Sequence, residues 1–178
     1  MLMSKLFFDT DCLSAFLWVG EEPILPKLYP GLIVVPAEVR QEISWIKWME
    51  QRLMVMSAKK QIVFESIEVG SDAHVDFLAM TTNPEKGMKV IGKGEAACIA
   101  LAKKYKGILA SNNMKDITQY VDAYNIEYIT AADIMIKAYG EKYFDENEGN
   151  RIWKEMLKKK RILPAETFSE YLRKQRGC

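Results

Sequence analysis

Residues 91–113 read IGKGEAACIALAKKYKGILASNN, and this stretch decides the class of fold. Its Ala-rich centre, 95–105, carries an apolar stripe at helical spacing and predicts a helix. Gly107 ends that helix, and the short apolar run 107–110 predicts a buried strand. A helix that passes through a glycine into a buried strand is typical of a sheet whose strands are joined by helices.

The same alternation recurs along the chain. Further strands are predicted at 5–9, 32–35, 61–69 and 127–129, the third of them at a sheet edge. Helices are predicted at 10–19 (capped by Thr10 or Asp11), 37–56, 71–82, 114–124 and 130–139, with two more in 145–176 broken near Leu163 and Pro164. The proline-rich segment 23–30 and the glycine-rich segment 83–94 predict loops. The sequence therefore predicts an α/β fold with a mostly parallel sheet of four to five strands.

The composition is that of an ordinary globular protein, with 178 residues, 49% hydrophobic and 28% charged, and a formal net charge of +1. This length fits one domain, or one domain with a helical appendix. The cysteines, Cys12, Cys98 and Cys178, and the single histidine, His74, provide neither a disulfide framework nor a zinc site. We therefore expect a reduced, cytoplasmic setting. No apolar run is long enough to span a membrane, and acidic residues interrupt the apolar N-terminus, which argues against a signal peptide.

The small net charge hides an asymmetry between the body and the tail. Residues 1–150 hold 16 Lys and Arg against 21 Asp and Glu, a net charge of −5, whereas residues 151–178 hold 9 against 3, a net charge of +6. The basic clusters at 158–161 and 173–176 have two interpretations: they grip an RNA backbone, or they are a solvated terminus. The near-neutral total excludes only a uniformly basic nucleic-acid binder.

Four carboxylates follow predicted strands or lie on the helices that follow them: Asp9, Glu42, Glu95 and Asp116. Ligands of parallel sheets bind beyond the carboxyl ends of the strands, so these acids are candidates for one site. A cluster of carboxylates repels itself unless it holds a cation, and oxygen ligands favour Mg²⁺ or Mn²⁺. Such ions support hydrolysis of phosphoesters. Any single acid here is also a good helix cap, although Asp9, which ends a very apolar strand, is the least easily explained as one.

Four segments resemble the sequence blocks of PIN domain proteins. They are residues 7–14 (FFDTDCLS), 34–43 (VVPAEVRQEI), 91–102 (IGKGEAACIALA) and 107–117 (GILASNNMKDI), in family order. The resemblance implies a three-layer α/β/α fold. It implies a PIN-like nuclease domain at 1–140, followed by a helical extension at 141–178 that packs on the same domain.

PIN domains are metal-dependent ribonucleases, and many prokaryotic ones are toxins of toxin–antitoxin pairs. The resemblance therefore implies that Asp9, Glu42, Glu95 and Asp116 are catalytic and hold Mg²⁺ or Mn²⁺. Where many members have an aspartate after the fourth strand, this chain has Asn112 and Asn113. Other members have an Asn with an acid three residues later, and Asn113 with Asp116 matches that pattern, so Asn113 joins the expected ligands.

Several alternatives remain open on the sequence. Glu38 competes with Glu42, one turn away on the same helix face. The asparagines also fit a catalytically weak or inactive PIN-fold module that binds RNA or protein. Residues 7–11 also resemble the nucleophile motif of haloacid dehalogenase phosphohydrolases, with Asp9 as nucleophile and Asp11 as acid/base.

The partners implied are an RNA substrate, an antitoxin protein and a second copy of the chain in a homodimer, with no membrane. Trp45 and Trp48 either stack on bases or cover a core or a protein interface. The apolar residues Met54 and Met56 make their helix a candidate groove for an antitoxin helix or a dimer surface.

Overall fold

Five parallel strands form the centre of the protein in a computed structural model, which describes residues 4–177. They are β1 (Leu6–Phe8), β2 (Ile33–Pro36), β3 (Val63–Glu65), β4 (Ile108–Ala110) and β5 (Glu127–Ile129). Their order in the sheet is β3-β2-β1-β4-β5, and every neighbouring pair is parallel. Cys178 and the expected domain limits at 1 and 178 lie outside the described residues.

Helices cover both faces of the sheet, which gives the predicted three-layer α/β/α arrangement. Within residues 4–177 they are α1 (Thr10–Val19), α2 (Ile24–Leu28), α3 (Ala37–Ser44), α4 (Lys47–Ala58), α5 (Asp72–Thr82), α6 (Lys93–Tyr105), α7 (Met114–Tyr124), α8 (Ala131–Gly140), α9 (Glu146–Lys158) and α10 (Phe168–Arg176). No helix among these residues is both long and apolar enough to cross a membrane.

The strand order creates a crevice beside β1. From β1 the chain adds β2 and then β3 on one side, and it later returns to place β4 on the other side of β1. Ligands of open parallel sheets bind at such a reversal, outside the carboxyl ends of the strands. Asp9 follows β1 and Ser111 follows β4, so both residues lie at this crevice.

Predicted segments differ from the structure in three places, and the first is the strand predicted at 61–69, which is only Val63–Glu65. The helix predicted at 37–56 is two helices, because Ile46 adopts an extended backbone and the Ser44 hydroxyl donates to the Gln41 carbonyl oxygen at 2.6 Å. That hydrogen bond competes with continuation of the helix. The segment 23–30, predicted as a loop, contains α2. Pro26 is tolerated in its first turn, where a backbone N–H has no partner within the helix.

The C-terminal helices share the main core of buried side chains. Trp153 of α9 and Phe168 of α10 are fully buried, and Trp153 donates its indole N–H to the Ala165 carbonyl oxygen at 3.0 Å. Helix α9 packs against α1 and α8 as well as α10. The break between α9 and α10 spans 159–167, around the predicted Leu163 and Pro164.

Candidate metal centre

Asp9 lies at the junction of β1 and α1 and is 1% exposed. Its Oδ1 accepts the backbone N–H of Cys12 at 2.8 Å, and its Oδ2 accepts the hydroxyl of Ser111 at the end of β4. Asp9 is therefore the N-cap of α1, which corrects the expectation of Thr10 or Asp11 and shows that capping does explain this residue. The cap uses one oxygen, and the other faces β4 across the crevice.

Glu42 on α3 is held by two donors from other elements. Thr10 of α1 donates its hydroxyl to Oε2, and Gly94 of α6 donates its backbone N–H to Oε1 at 3.0 Å. A Cβ at position 94 would lie 2.7 Å from Oε2, so only glycine lets the carboxylate approach the start of α6 this closely. Glycine at this position was expected only as part of a turn, and its role as a donor to Glu42 was missed.

Glu95 and Asp116 are joined by one amide. Asn113 donates its side-chain N–H groups to Glu95 Oε1 at 2.7 Å and to Asp116 Oδ2 at 3.1 Å. The other oxygen of Glu95 accepts the backbone N–H of Gly92 at 3.2 Å. Asn113 was expected to offer its amide oxygen to a cation, whereas here its nitrogen faces both carboxylates.

The acids influence one another electrostatically. Burial raises the pKa of Asp9 to about 7, with smaller opposing effects of the hydrogen bonds from Ser111 and Cys12, and Asp11 and Glu95 add to the rise. Burial also raises the pKa of Glu95, and the charges of Asp116 and Glu42 reinforce that rise. All four predicted site carboxylates are therefore linked by hydrogen bonds or by charge at one edge of the sheet.

A buried thiol lies among these acids. Cys98 is one turn beyond Glu95 on α6, and burial raises its pKa well above the usual value. The charges of Asp9, Glu42, Glu38 and Glu95 contribute to that rise, in that order. No local sequence pattern predicts Cys98 near these acids, because its position depends on how α3 and α6 pack.

Glu38, the competitor of Glu42, occupies a different environment. Its Oε2 is buried without a hydrogen-bond partner, whereas both oxygens of Glu42 are bound by Thr10 and Gly94. An unpaired buried carboxylate oxygen is costly, and a nearby cation would satisfy it. Glu42 contacts α1 and α6 directly, and Glu38 supplies a spare acceptor on the same helix.

The donor set fits a hard divalent cation in its chemistry. Every candidate ligand is an oxygen, and each ionised carboxylate retains lone pairs beyond the hydrogen bonds described. Within residues 4–177, however, no three His, Cys, Asp or Glu side chains are drawn together into a ready cage. Each of the four carboxylates instead accepts an N–H or O–H donor of the chain.

The basic tail contacts the body near the same edge. Arg161 donates to Asp11 Oδ1 and to the Ser14 hydroxyl, both at 3.0 Å. Asp11, the acid/base of the phosphohydrolase hypothesis, is thus engaged in an ion pair with the tail. The sequence placed these charges 150 residues apart, with no pattern that connected them.

The tryptophans differ sharply in exposure. Trp153 is a core residue, and Trp48 packs edge-on against Trp18 at 5.4 Å between ring centroids. Trp45, in the break between α3 and α4, is 86% exposed and covers no core. Met56 is buried and Met54 is exposed, so the outer face of α4 is only partly apolar.

Comparison with known proteins gives one result at the level of the family. The family model DUF3368, described as a PIN domain, matches residues 5–176, which include the C-terminal helices. No curated protein matches the chain significantly.

Proposed function

Because the chain belongs to the PIN domain family, whose members are generally nucleases, we propose that it is an endoribonuclease that depends on Mg²⁺ or Mn²⁺. The observation that carries the proposal is the linkage of Asp9, Glu42, Glu95 and Asp116, brought from four elements to the crevice beside β1. A nuclease-type fold with four oxygen-bearing acids at its switch point supports hydrolysis of a phosphodiester.

Asp9, Glu42, Glu95 and Asp116 would hold the cation, which supplies charge neutralisation and an activated water. The groups around them orient these ligands. Ser111 and the Cys12 amide fix the plane of the Asp9 carboxylate, and Thr10 and Gly94 fix that of Glu42. Asn113 keeps Glu95 and Asp116 together despite their like charge.

Cleavage of a single-stranded RNA tests the proposal. We expect cleavage with Mn²⁺, none in excess chelator, and a loss of at least about a hundredfold in Asp9→Asn, as for loss of an essential ligand or its immediate support. Undiminished cleavage by Asp9→Asn, or the same cleavage in chelator as in Mn²⁺, contradicts the proposed metal-dependent nuclease activity.

Glu42→Gln and Glu38→Gln form a matched pair on one helix. The Glu42 change removes charge from the acid that α1 and α6 hold, so we expect weaker Mn²⁺ binding by calorimetry and slower cleavage. The Glu38 change leaves those contacts intact, so we expect the smaller effect. The reverse order of effects would make Glu38 the ligand.

One observation favours a second candidate, a PIN-fold module that binds RNA or protein without cleaving it. The Asn113 N–H groups occupy oxygens of Glu95 and Asp116 that a cation would use. Asn113→Asp would replace these donors with a further carboxylate. RNA binding without detectable Mn²⁺ binding in the unmodified chain, together with a gain of Mn²⁺ binding in Asn113→Asp, supports this candidate.

The proposal extends to a toxin paired with an antitoxin, and to a homodimer. Exposed Trp45, Met54 and Val55 around α4 support a protein contact there. We place this activity in the cytoplasm, where RNA is present and where free thiols such as the buried Cys12 stay reduced. Growth arrest on expression that requires Asp9 tests the toxin role, and light scattering tests the dimer.

A further inference from the structure

An arginine of the C-terminal extension lies at the edge of the crevice that holds the acids. Arg161 follows α9 and donates from Nη1 to Asp11 Oδ1 at 3.0 Å, in the first turn of α1. Asp11 is two residues beyond Asp9, and its charge raises the pKa of Asp9 more than the charge of Glu95 does. The guanidinium of Arg161 is therefore a fixed neighbour of the metal centre.

The segment that follows Arg161 stays at the same edge of the sheet. Residues 162–164 line a cavity together with Asn112, which lies in the loop after β4. The chain neighbours of Asn112 are Ser111 and Asn113, and both donate hydrogen bonds to acids of the centre. Arg161 is thus placed beside the crevice both by its contact with α1 and by the path of the chain after it.

Three contacts fix the plane of the Arg161 guanidinium. Nη1 donates to Asp11 Oδ1 and to the Ser14 hydroxyl, both at 3.0 Å, and Nε donates to the Lys159 carbonyl oxygen at 3.0 Å. A planar group that is held before a ligand arrives loses little freedom when the ligand binds. The cation is therefore prepared to bind an anion.

The remaining nitrogen of this guanidinium, Nη2, is available to donate. It has no hydrogen-bond partner within residues 4–177. It is also accessible to solvent, because the buried side-chain atoms left unpaired in that part of the chain belong to Glu38 and Asn112. The Arg161 side chain as a whole is 21% exposed. Accessible N–H groups on a fixed guanidinium are well suited to the oxygens of a phosphate.

Two neighbouring cations of the same basic cluster are held elsewhere. Lys158 forms an ion pair with Glu155 at 2.6 Å, within α9. The Lys159 Nζ lies 5.1 Å from the ring centroid of Trp18, near the far end of α1 from Asp11. Arg161 differs from both in its rigid attachment beside Asp9.

We propose that Arg161 binds a phosphate of the RNA next to the one that lies at the acids. The inference rests on the proposed function and adds to it a residue of the extension that positions the substrate. The Nη2 N–H groups donate to the phosphate oxygens, while Asp11 holds the guanidinium in place and offsets part of its charge. Every nucleotide carries a phosphate, so an RNA chain that enters the crevice brings a second one to its edge.

Fluorescence anisotropy in excess chelator tests the contact without catalysis. The probe is a labelled single-stranded oligouridylate of about ten nucleotides, titrated with the full chain in about 50 to 200 mM KCl. We expect Arg161→Gln to bind about tenfold more weakly, as for loss of a charge-assisted hydrogen bond. The slope of log affinity against log salt should be smaller by about 0.7, as for one phosphate contact on a single strand. An unchanged slope, or no RNA binding by the wild-type chain, overturns the proposal.

Arg151→Gln is the matched control. Arg151 also belongs to the basic tail, and it pairs with Glu21 at 3.0 Å, just beyond the other end of α1. That helix has ten residues and is therefore about 15 Å long. The control removes the same charge at a distance from the crevice, so we expect RNA affinity and salt slope close to those of the wild-type chain. Equal losses in the two variants would mean that the tail acts through its overall charge, and would overturn the contact.

A double variant separates the phosphate contact from the ion pair. Arg161→Gln leaves the charge of Asp11 unpaired, and that charge by itself would weaken the binding of RNA. Arg161→Gln combined with Asp11→Asn removes both charges, so the smaller slope should persist if Arg161 binds a phosphate. Recovery of the wild-type slope in the double variant overturns the proposal.

Arg161→Lys distinguishes the contact from a purely structural role. Lysine keeps a positive charge for the phosphate, but it lacks the planar fork that donates to Asp11, Ser14 and Lys159 at once. We expect this variant to retain the wild-type salt slope. A slope reduced as far as in Arg161→Gln would assign the effect to the fold of the extension and overturn the proposal.

Cleavage assays in Mn²⁺ separate this inference from the nuclease itself. Cleavage that depends on Mn²⁺, by a chain whose affinity for RNA does not depend on Arg161, overturns the phosphate contact and leaves the nuclease standing. RNA binding that depends on Arg161, without cleavage in Mn²⁺, supports the contact and contradicts the nuclease. Where both are present, Arg161→Gln should raise KM more than it lowers kcat, because the contact is made before and during the reaction alike.

Discussion

At the scale of single residues, Asp9 combines two roles that sequence reasoning treated as alternatives. It caps α1 through Oδ1 and meets Ser111 of β4 through Oδ2. Both roles follow from its position, because the residue after a central strand is also the residue before the next helix. An acid there satisfies a free helix N–H and still faces the crevice where the strand order reverses.

The pKa of Asp9 gives a prediction about stability. Burial raises it from 3.8 to about 7, so between these pH values the folded protein binds a proton that the unfolded chain has released. The contribution of Asp9 to the free energy of unfolding in chelator should therefore fall as pH rises from about 4 to about 7, and then level off. The fall should amount to a few kcal/mol, since one pKa unit corresponds to about 1.4 kcal/mol.

Urea unfolding of the wild-type chain and of Asp9→Asn, at a series of pH values, measures this contribution. Asparagine also caps helices, so the variant keeps the cap, and its Nδ2 would donate to the Ser111 hydroxyl oxygen where Asp9 Oδ2 accepted from it. As pH rises, the free energy of unfolding of Asp9→Asn should increase relative to that of the wild-type chain. Parallel curves would mean that Asp9 titrates near its usual pKa in the folded protein.

At the scale of elements, the start of α6 organises two of the acids. The Glu95 carboxylate accepts the backbone N–H of Gly92, and the Glu42 carboxylate of α3 accepts the backbone N–H of Gly94. The helix start is a favourable place for carboxylates, because its free N–H groups and dipole are positive. The two glycines differ in how close a Cβ at each position would lie to a neighbouring carboxylate.

Gly94→Ala and Gly92→Ala are a matched pair on this helix start. A methyl group at 94 would lie 2.7 Å from Glu42 Oε2 and would push the carboxylate away, whereas one at 92 would lie at an ordinary 3.4 Å from Glu95 Oε2. We expect Gly94→Ala to weaken Mn²⁺ binding about tenfold or more, as for loss of a group that orients a ligand. Circular dichroism should show both variants folded. Equal Mn²⁺ affinities would mean that Glu42 does not need this position to bind the cation.

At the scale of the whole molecule, the C-terminal extension is built into the fold. Its buried side chains join the main core, and Arg161 donates to Asp11. Two of the tail's cations pair with acids of the body, Arg151 with Glu21 and Glu148 and Arg161 with Asp11. The formal +6 of the tail therefore overstates the charge it offers to a phosphate backbone.

Gly149→Ala tests how closely the extension is packed. A Cβ at 149 would lie 2.5 Å from the ring of Phe168, where α9 meets α10, so we expect a loss of about 1–3 kcal/mol in the free energy of unfolding. Gly140→Ala is the control, because no atom lies within 4 Å of its Cβ. Thermal or urea unfolding measures both. An unchanged free energy of unfolding in Gly149→Ala would show that α10 can move on α9 to make room for the methyl group.

Local patterns predicted much of this fold from sequence. The span of α7 and that of β5 agree with prediction, because their apolar spacing and flanking residues act over a few positions. The break at Ile46 was missed, because nothing in its local sequence marks it. The short helix α2 was missed because prolines in a first turn look like a loop.

The sequence by itself determined the alternation of strands and helices, the family and the acids that follow the strands, since these depend on residue type and spacing along the chain. Only the tertiary structure decided how the acids are held. Gly94 binds Glu42 across 52 residues, Ser111 binds Asp9 across 102, and Asn113 turns its N–H groups to Glu95 and Asp116. Such contacts depend on sheet order and helix packing, which bring together residues that no local pattern relates.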